Sequence, residues 1–307
     1  MARIVVAERV ASEGLALLGE AGHELHDLIG ATPEALRTAV ATADALVVRS
    51  QVRVDAALIA AAPQLRVIGR AGVGTDNIDG SAASARAITV VNAPAGNTVA
   101  AAEHTIALLL GIARNIARAD RSMRDGAWER KALQGFELHG KSIGIVGFGR
   151  VGRAVATRTL AFGMIPLAYD PVVGAAEISA AGVTPLALDE LLARADVVTL
   201  HAPAVRGAPP LIGAREIALM RPNAVLVNVA RGALVDESAL AAALAARRIA
   251  GAALDVFASE PPTDSPLLTA PNTLLTPHLG ASTAEAQVAV AVEMAERMIL
   301  ALSEMRG

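Results

Sequence analysis

Lys141-Ser-Ile-Gly-Ile-Val-Gly-Phe-Gly-Arg-Val-Gly-Arg153 decides how the rest of this 307-residue sequence is read. Ile143, Ile145 and Val146 form a short apolar run of the kind that makes a buried strand. Gly147, Gly149 and Gly152 follow at once with the spacing G-x-G-x-x-G, and 151–162 reads as a helix. Gly147 permits a tight turn out of the strand. Gly149 lets backbone approach a pyrophosphate, and Gly152 lets the helix pack close to the sheet. The start of that helix offers free N–H groups and a positive dipole end to phosphates. Taken alone, the three glycines are weak evidence, but their surroundings strengthen it. A second strand over 165–169 ends in Asp170, 18 residues after Gly152. That is where an acidic group meets the adenosine ribose hydroxyls, and a carboxylate there favours NAD because it repels the 2′-phosphate of NADP. A turn-opening role before Pro171 would explain Asp170 by itself but not the whole unit.

Working outward, the length suits two domains, and 53% hydrophobic residues supply two cores. A net charge of −3 without a basic run, and only 2% aromatics, argue against nucleic acid as the partner. The absence of cysteine excludes disulfides, thiolate chemistry and cysteine zinc sites and is compatible with the cytoplasm, the expected location. No apolar run reaches the roughly 18 to 20 residues that span a bilayer, so no membrane is expected as a partner. The start, with Arg3, Glu8 and Arg9, reads as a first strand rather than a signal peptide.

Residues 3–92 alternate strands (4–6, 23–26, 45–48, 65–68, 88–91) with helices (13–18, 33–41, 55–61, 78–85). Such alternation implies a parallel sheet covered by helices on both faces. Asn92-Ala-Pro-Ala-Gly-Asn97 marks a boundary, and 98–118 reads as one long apolar helix. Residues 119–140 show no clear period and suit an arm or a dimer contact. A second alternation runs over 142–276, with strands near 143–146, 165–169, 196–200, 224–229, 250–254 and 273–275. The last helix, 283–300, has no strand after it and is expected to return to the first domain. The expected division is 1–95 with 282–307 as a discontinuous substrate-binding domain, and 96–281 as an NAD-binding Rossmann domain.

Three strand ends carry ionisable groups, and ligands of open α/β sheets sit at the carboxyl ends of strands. Val227-Asn-Val-Ala-Arg-Gly-Ala-Leu-Val-Asp236 offers Arg231. Ala252-Ala-Leu-Asp-Val-Phe-Ala-Ser-Glu-Pro-Pro262 offers Asp255 and Glu260. Leu275-Thr-Pro-His-Leu-Gly-Ala-Ser282 offers His278. An arginine can hold a carboxylate bidentately, a histidine can move a proton, and a carboxylate beside it can orient the ring. With a nicotinamide this is hydride transfer between a 2-hydroxy acid and a 2-oxo acid. Singly, each residue also has a plain reading: a solvated arginine, a turn histidine, a loop acid. His23, His26, His104, His139 and His201 form no pair spaced for a metal, so none is expected. No G-x-S-x-G suggests a serine nucleophile.

Together with Val47-Val-Arg-Ser50 and Gly69-Arg-Ala-Gly-Val-Gly-Thr-Asp-Asn77, these segments give the chain its resemblance, nearly end to end, to the D-isomer-specific 2-hydroxyacid dehydrogenases. The resemblance implies two parallel-sheet α/β domains, Rossmann-like and flavodoxin-like, with a cleft between them, and a homodimer or homotetramer. By the same resemblance Arg231 would bind the substrate carboxylate and carbonyl oxygen, His278 would donate or accept the proton, and Glu260 would be its partner. Gly147, Gly149, Arg150, Val151 and Gly152 would lie along the pyrophosphate and Asp170 on the ribose. Ala202, Val229 and Asp255 would line the nicotinamide side, with His278, Gly280 and Ala281 closing the site.

Arg49 ends one strand and Arg70 opens the glycine loop Gly72-Val-Gly74 after another, a pair suited to a phosphate. Arg49, Arg70, Gly72, Val73 and Gly74 are therefore the expected substrate contacts, and a phosphorylated 2-hydroxy acid the expected substrate. Glyoxylate or hydroxypyruvate is the alternative, and surface charge the plain reading of the arginines. Arg130 and Lys131 match positions that can reach a neighbouring subunit. An NAD(H)-sensing module, known among relatives, conflicts with three competent catalytic positions. Two departures stand out: Val73 replaces a frequent threonine, and 202–212 lacks the usual threonines. The sequence stops at Gly307, so the C-terminal regulatory domains of many relatives, and feedback inhibition through them, are not expected.

Overall fold

A computed structural model describes residues 1–205 and 207–304, and it divides the chain into two compact units. The division falls at 98/99 rather than 95/96, and at 280/281 rather than 281/282. Arg206, inside the loop that departs from the expected pattern, and 305–307 lie outside the described residues.

The first unit alternates β1 (Arg3–Val6), α1 (Ser12–Glu20), β2 (Glu24–Asp27), α2 (Pro33–Val40), β3 (Ala45–Val48), α3 (Ala56–Ala60), β4 (Val67–Arg70), α4 (Gly80–Ala85) and β5 (Thr89–Val91). All strand pairs are parallel, in the order β2-β1-β3-β4-β5. Every residue of β3 is buried, as a central strand covered on both faces requires. Thr32, Asp55 and Asp79 each accept the N–H three residues on, which starts their helices at defined points. The 65–68 strand is displaced: β4 begins at Val67, because Leu65 still bonds back to Ala62 in the turn leaving α3, whereas Arg66 already bonds across to Asp44 and Thr89.

The second unit holds α5 (Thr98–Ala113), α6 (Ile116–Arg124), β6 (Ser142–Val146), α7 (Arg150–Ala161), β7 (Ile165–Tyr169), α8 (Ala175–Ala180), β8 (Thr184–Pro185), α9 (Leu188–Arg194), β9 (Val197–Leu200), α10 (Ala214–Leu219), β10 (Val225–Asn228), α11 (Glu237–Ala245), β11 (Gly251–Leu254) and β12 (Thr273–Leu275). Its sheet, again parallel, runs β12-β11-β10-β9-β6-β7-β8. Strand order therefore reverses at β6, the strand that leads into the three glycines. This topological switch point is where ligands of such sheets bind.

Two sequence readings are corrected by the structure. The single helix over 98–118 is two helices bent by 59°. Asn115 takes the left-handed conformation at φ 53°, which asparagine tolerates better than most residues, and it separates the first helix from the second. The aperiodic region thus contributes α6, whose Ile116 and Met123 are exposed, as is Trp128 beyond it. The unit also has a strand that periodicity missed: β8 is two residues long and contains a proline, which suits only a sheet edge.

The closing helix α12 (Ala284–Glu304) belongs to the first unit. Ala286, Val290, Ala291, Met294, Ala295, Met298, Ala301 and Leu302 form its buried stripe, spaced for one helix face. That stripe joins the core of β1, β3 and β4. On the same helix Glu293 accepts the N–H groups of Ala95 (3.0 Å) and Gly96 (2.9 Å). Among the described residues no single helix is long and apolar enough to cross a membrane.

Candidate active site

The turn after β6 is built by contact with its neighbours. Gly147 has φ +96°, and a Cβ there would fall 2.6 Å from the backbone of His201, just beyond β9. Only glycine meets both conditions without strain. Gly152, in the first turn of α7, packs on the carbonyl oxygen of Gly147, so the helix starts directly against the turn. At Gly149 the surroundings are open, with no atom within 4 Å of the place a Cβ would take. A glycine with free space beside a helix N-terminus is a cradle for a phosphate group, so these residues fit a dinucleotide. Arg150 is exposed and Val151 half-buried at the start of that helix.

Asp170 follows β7 and accepts N–H bonds from Phe148 (2.7 Å), Val172 (2.8 Å) and Val173 (2.9 Å). Burial opposes its charged form. The three bonds and the nearby Arg153 outweigh burial and hold its carboxyl below the usual range. Asp170 thus ties the glycine turn to the end of β7 and presents a charge there. The same charge is expected to disfavour a 2′-phosphate.

Arg231 leaves the end of β10. Asn228 holds its carbonyl oxygen at 2.9 Å, and its guanidinium donates to the carbonyl of Ala230 at 2.7 Å. Gly232 follows because its Cα lies against the backbone of Phe257 and Ala258, leaving no room for a side chain. This close approach joins the loop of Arg231 to the loop of Glu260. Glu260 in turn accepts the N–H of Phe257 at 3.1 Å and precedes a cis proline, Pro261.

His278, beyond β12, lies with Nδ1 2.7 Å from Oε2 of Glu260. Its pKa is raised above the ordinary histidine value, first by that hydrogen bond, against the cost of burial. The charges of Glu260 and Asp255 add to the rise, while the Arg231 guanidinium opposes it. For Glu260, burial works against the charged form, but the bonds from His278 and Phe257 outweigh it and hold the carboxyl low. Arg231, Glu260 and His278 are therefore brought together, although 47 residues separate the first from the last. Glu260 occupies Nδ1, which leaves Nε2 of His278 as the nitrogen that can exchange a proton with a substrate hydroxyl.

The remaining expected contacts divide between the units. In the second unit, Val229 packs near Gly280, where an added Cβ would lie 3.0 Å from Cγ1 of Val229. Ala202 is half-buried beyond β9, and Ala281 lies at the boundary of the two units. Asp255 is fully buried, and its carboxylate is engaged within the chain by Thr276, Leu279, Gly280 and His104. His104 and Thr276 carried no signal in the sequence, since a lone histidine in an apolar helix gains meaning only from what packs on it. In the first unit, Arg49 and Arg70 stand at the carboxyl ends of the paired strands β3 and β4, where Val48 is opposite Arg70. Glu8 fixes the Arg49 loop by accepting N–H bonds from Arg49 (2.6 Å), Gln51 (2.9 Å) and Val52 (3.1 Å). The Arg70 guanidinium lies over Gly72, and Asn92 holds the carbonyl of Val73 at 2.5 Å. Gly74 is half-buried on the same loop, whereas Arg130 and Lys131 are exposed.

Residues 106–280 match the model of the D-isomer specific 2-hydroxyacid dehydrogenase, NAD binding domain. The chain belongs to that family. As a 2-hydroxyacid dehydrogenase family member it is 47% identical over 300 residues to D-3-phosphoglycerate dehydrogenase of Mycobacterium tuberculosis (strain ATCC 25618 / H37Rv), covering 98% of this chain and 57% of the relative. It thus spans little more than half the length of the curated relatives it matches. Among solved structures, the TT0316 protein from Thermus thermophilus is similar with a TM-score of 0.88 and 36% identity, over 98% of this chain and 97% of that one. A glyoxylate reductase from Paecilomyes thermophila matches with a TM-score of 0.87 and 29% identity, over 97% and 94% of the two chains.

Proposed function

We propose that this dehydrogenase oxidises 3-phospho-D-glycerate to 3-phosphohydroxypyruvate with NAD, the entry step to serine synthesis. The observation that carries the chemistry is the His278–Glu260 pair at 2.7 Å with its raised histidine pKa and Arg231 within electrostatic reach. The substrate follows from the 47% identity to phosphoglycerate dehydrogenases over nearly the whole chain. NAD supplies the hydride acceptor when bound. Arg231 holds the substrate carboxylate through two parallel bonds and so places C2. As the C2–H leaves as hydride, Nε2 of His278 takes the hydroxyl proton, and the C2–O bond becomes a carbonyl. Glu260 keeps the Nδ1 proton in place and stabilises the imidazolium that results. In reduction the same proton returns to the carbonyl oxygen. Arg49 and Arg70 bind the phosphate in this reading.

A cytoplasmic homo-oligomer belongs to the same proposal, with the exposed Ile116, Met123 and Trp128 as its contact. The likeness to a glyoxylate reductase supports a second reading, the same chemistry on an unphosphorylated 2-oxo acid. Following NADH absorbance with phosphohydroxypyruvate and with hydroxypyruvate separates them. A kcat/KM at least about 100-fold higher for the phosphorylated acid is expected from two arginine–phosphate contacts. Equal values would favour the second reading, and no turnover of either would end both.

A further inference from the structure

His104 projects from α5 into a place no sequence pattern marks. Its Nε2 lies 3.0 Å from Oδ1 of Asp255 and 3.2 Å from Oγ1 of Thr276. Asp255 is fully buried, and it holds the whole turn that carries His278. Its Oδ1 accepts the Thr276 hydroxyl (2.6 Å) and the Leu279 N–H (2.7 Å), and its Oδ2 accepts the Gly280 N–H (2.8 Å). Its carbonyl oxygen accepts the N–H of His278 itself at 2.8 Å. His278 sits at φ +55°, a conformation L side chains seldom adopt, so the direction of its ring depends on these ties.

The donors differ in what they can fix. Thr276, Leu279 and Gly280 are part of the turn and would move with it. Among the described donors to the Asp255 carboxylate, only His104 reaches it from a separate element, the 16-residue helix α5. The hydrogen bonds from His104 and Thr276, with that of Leu279, also outweigh burial and keep Asp255 ionised.

We propose that His104 is a positioning residue: by donating from Nε2 to Asp255 it anchors the 276–280 turn to α5 and aims His278 at Glu260. This role rests on the reading of His278 as the proton-transferring group. The charged groups facing His278 are Glu260, Asp255 and Arg231. Loss of the anchor lets His278 drift from Glu260, the largest cause of its raised pKa, so that pKa falls.

The test compares two amides. Glutamine places an N–H where Nε2 stands, whereas asparagine reaches only as far as Nδ1. Titration of the His278 ring followed by NMR, its signal assigned with His278→Gln, reads the effect without any turnover. In His104→Asn the His278 pKa falls toward about 6.5, the ordinary value, and in His104→Gln it recovers. In parallel, kcat falls by about 10- to 100-fold in His104→Asn, as for a misplaced catalytic group. His104→Gln regains most of that loss. Equal His278 pKa values in the Asn and Gln variants would overturn the anchor. A His278 pKa that responds in the two variants as described, in a protein whose wild type turns over no 2-oxo acid, would leave the anchor standing and remove the dehydrogenase reading.

Discussion

Glu260 takes one nitrogen of His278 at 2.7 Å, and the consequences can be measured at that single contact. Replacing Glu260 by Gln removes the charge that raises the His278 pKa, so the acidic limb of the oxidation profile moves to lower pH. An unmoved limb in a kcat/KM profile would show that Glu260 has no such role. The pair also contributes to stability with a definite sign. Glu260 has a lowered folded pKa, so its share is present above about pH 4.3 and is lost as pH falls through the folded value. His278 has a raised folded pKa, so its share is complete below about pH 6.5 and is lost as pH rises through the folded value. The difference in Tm between wild type and Glu260→Gln is therefore largest between those values, and small, as for exposed pairs generally. At Arg231, lysine keeps the charge but not the planar fork. Arg231→Lys is expected to lower kcat/KM by about 100-fold or more, read by NADH absorbance, whereas near-normal turnover would remove Arg231 from the mechanism.

The elements set where these residues stand. The turn from β6 into α7 has no slack, because Gly152 rests on the carbonyl of Gly147 and Gly147 on the backbone after β9. Gly152→Ala must push α7 away from the turn, so it is expected to weaken NADH binding by about tenfold or more and to destabilise the fold by about 1–3 kcal/mol. Fluorescence titration with NADH and a denaturant curve check both, and unchanged binding would separate the turn from the dinucleotide. Most elements were legible because a parallel sheet covered on both faces demands apolar runs, which 45–48 and 143–146 supply. The bend at Asn115 was not legible, since no proline or glycine marks it and only backbone conformation ends the helix. Nor was β8, where two residues pairing at an edge leave no period to read.

At the scale of the molecule, Ile116, Met123 and Trp128 lie exposed on and just beyond one helix. If this is the contact between subunits, light scattering after gel filtration gives a dimer or tetramer for the wild type. Ile116→Glu with Trp128→Glu shifts it toward monomer without unfolding, and an unaltered mass would place the contact elsewhere. What the sequence determined by itself was local and repetitive. The strand–glycines–helix–strand–Asp170 unit and the two sheets could be read, because each depends on neighbours in the chain or on a pattern of adjacent residues, and Arg231, Glu260 and His278 stood out as ionisable groups at strand ends. Tertiary structure alone decided the pairings over long separations. It set Glu293 of α12 on the backbone of Ala95 and Gly96, almost 200 residues earlier. It also set His104 on Asp255, 151 residues away. Such contacts join groups that no periodicity relates, and only the closing of the sheet and its helices fixes the distance between them.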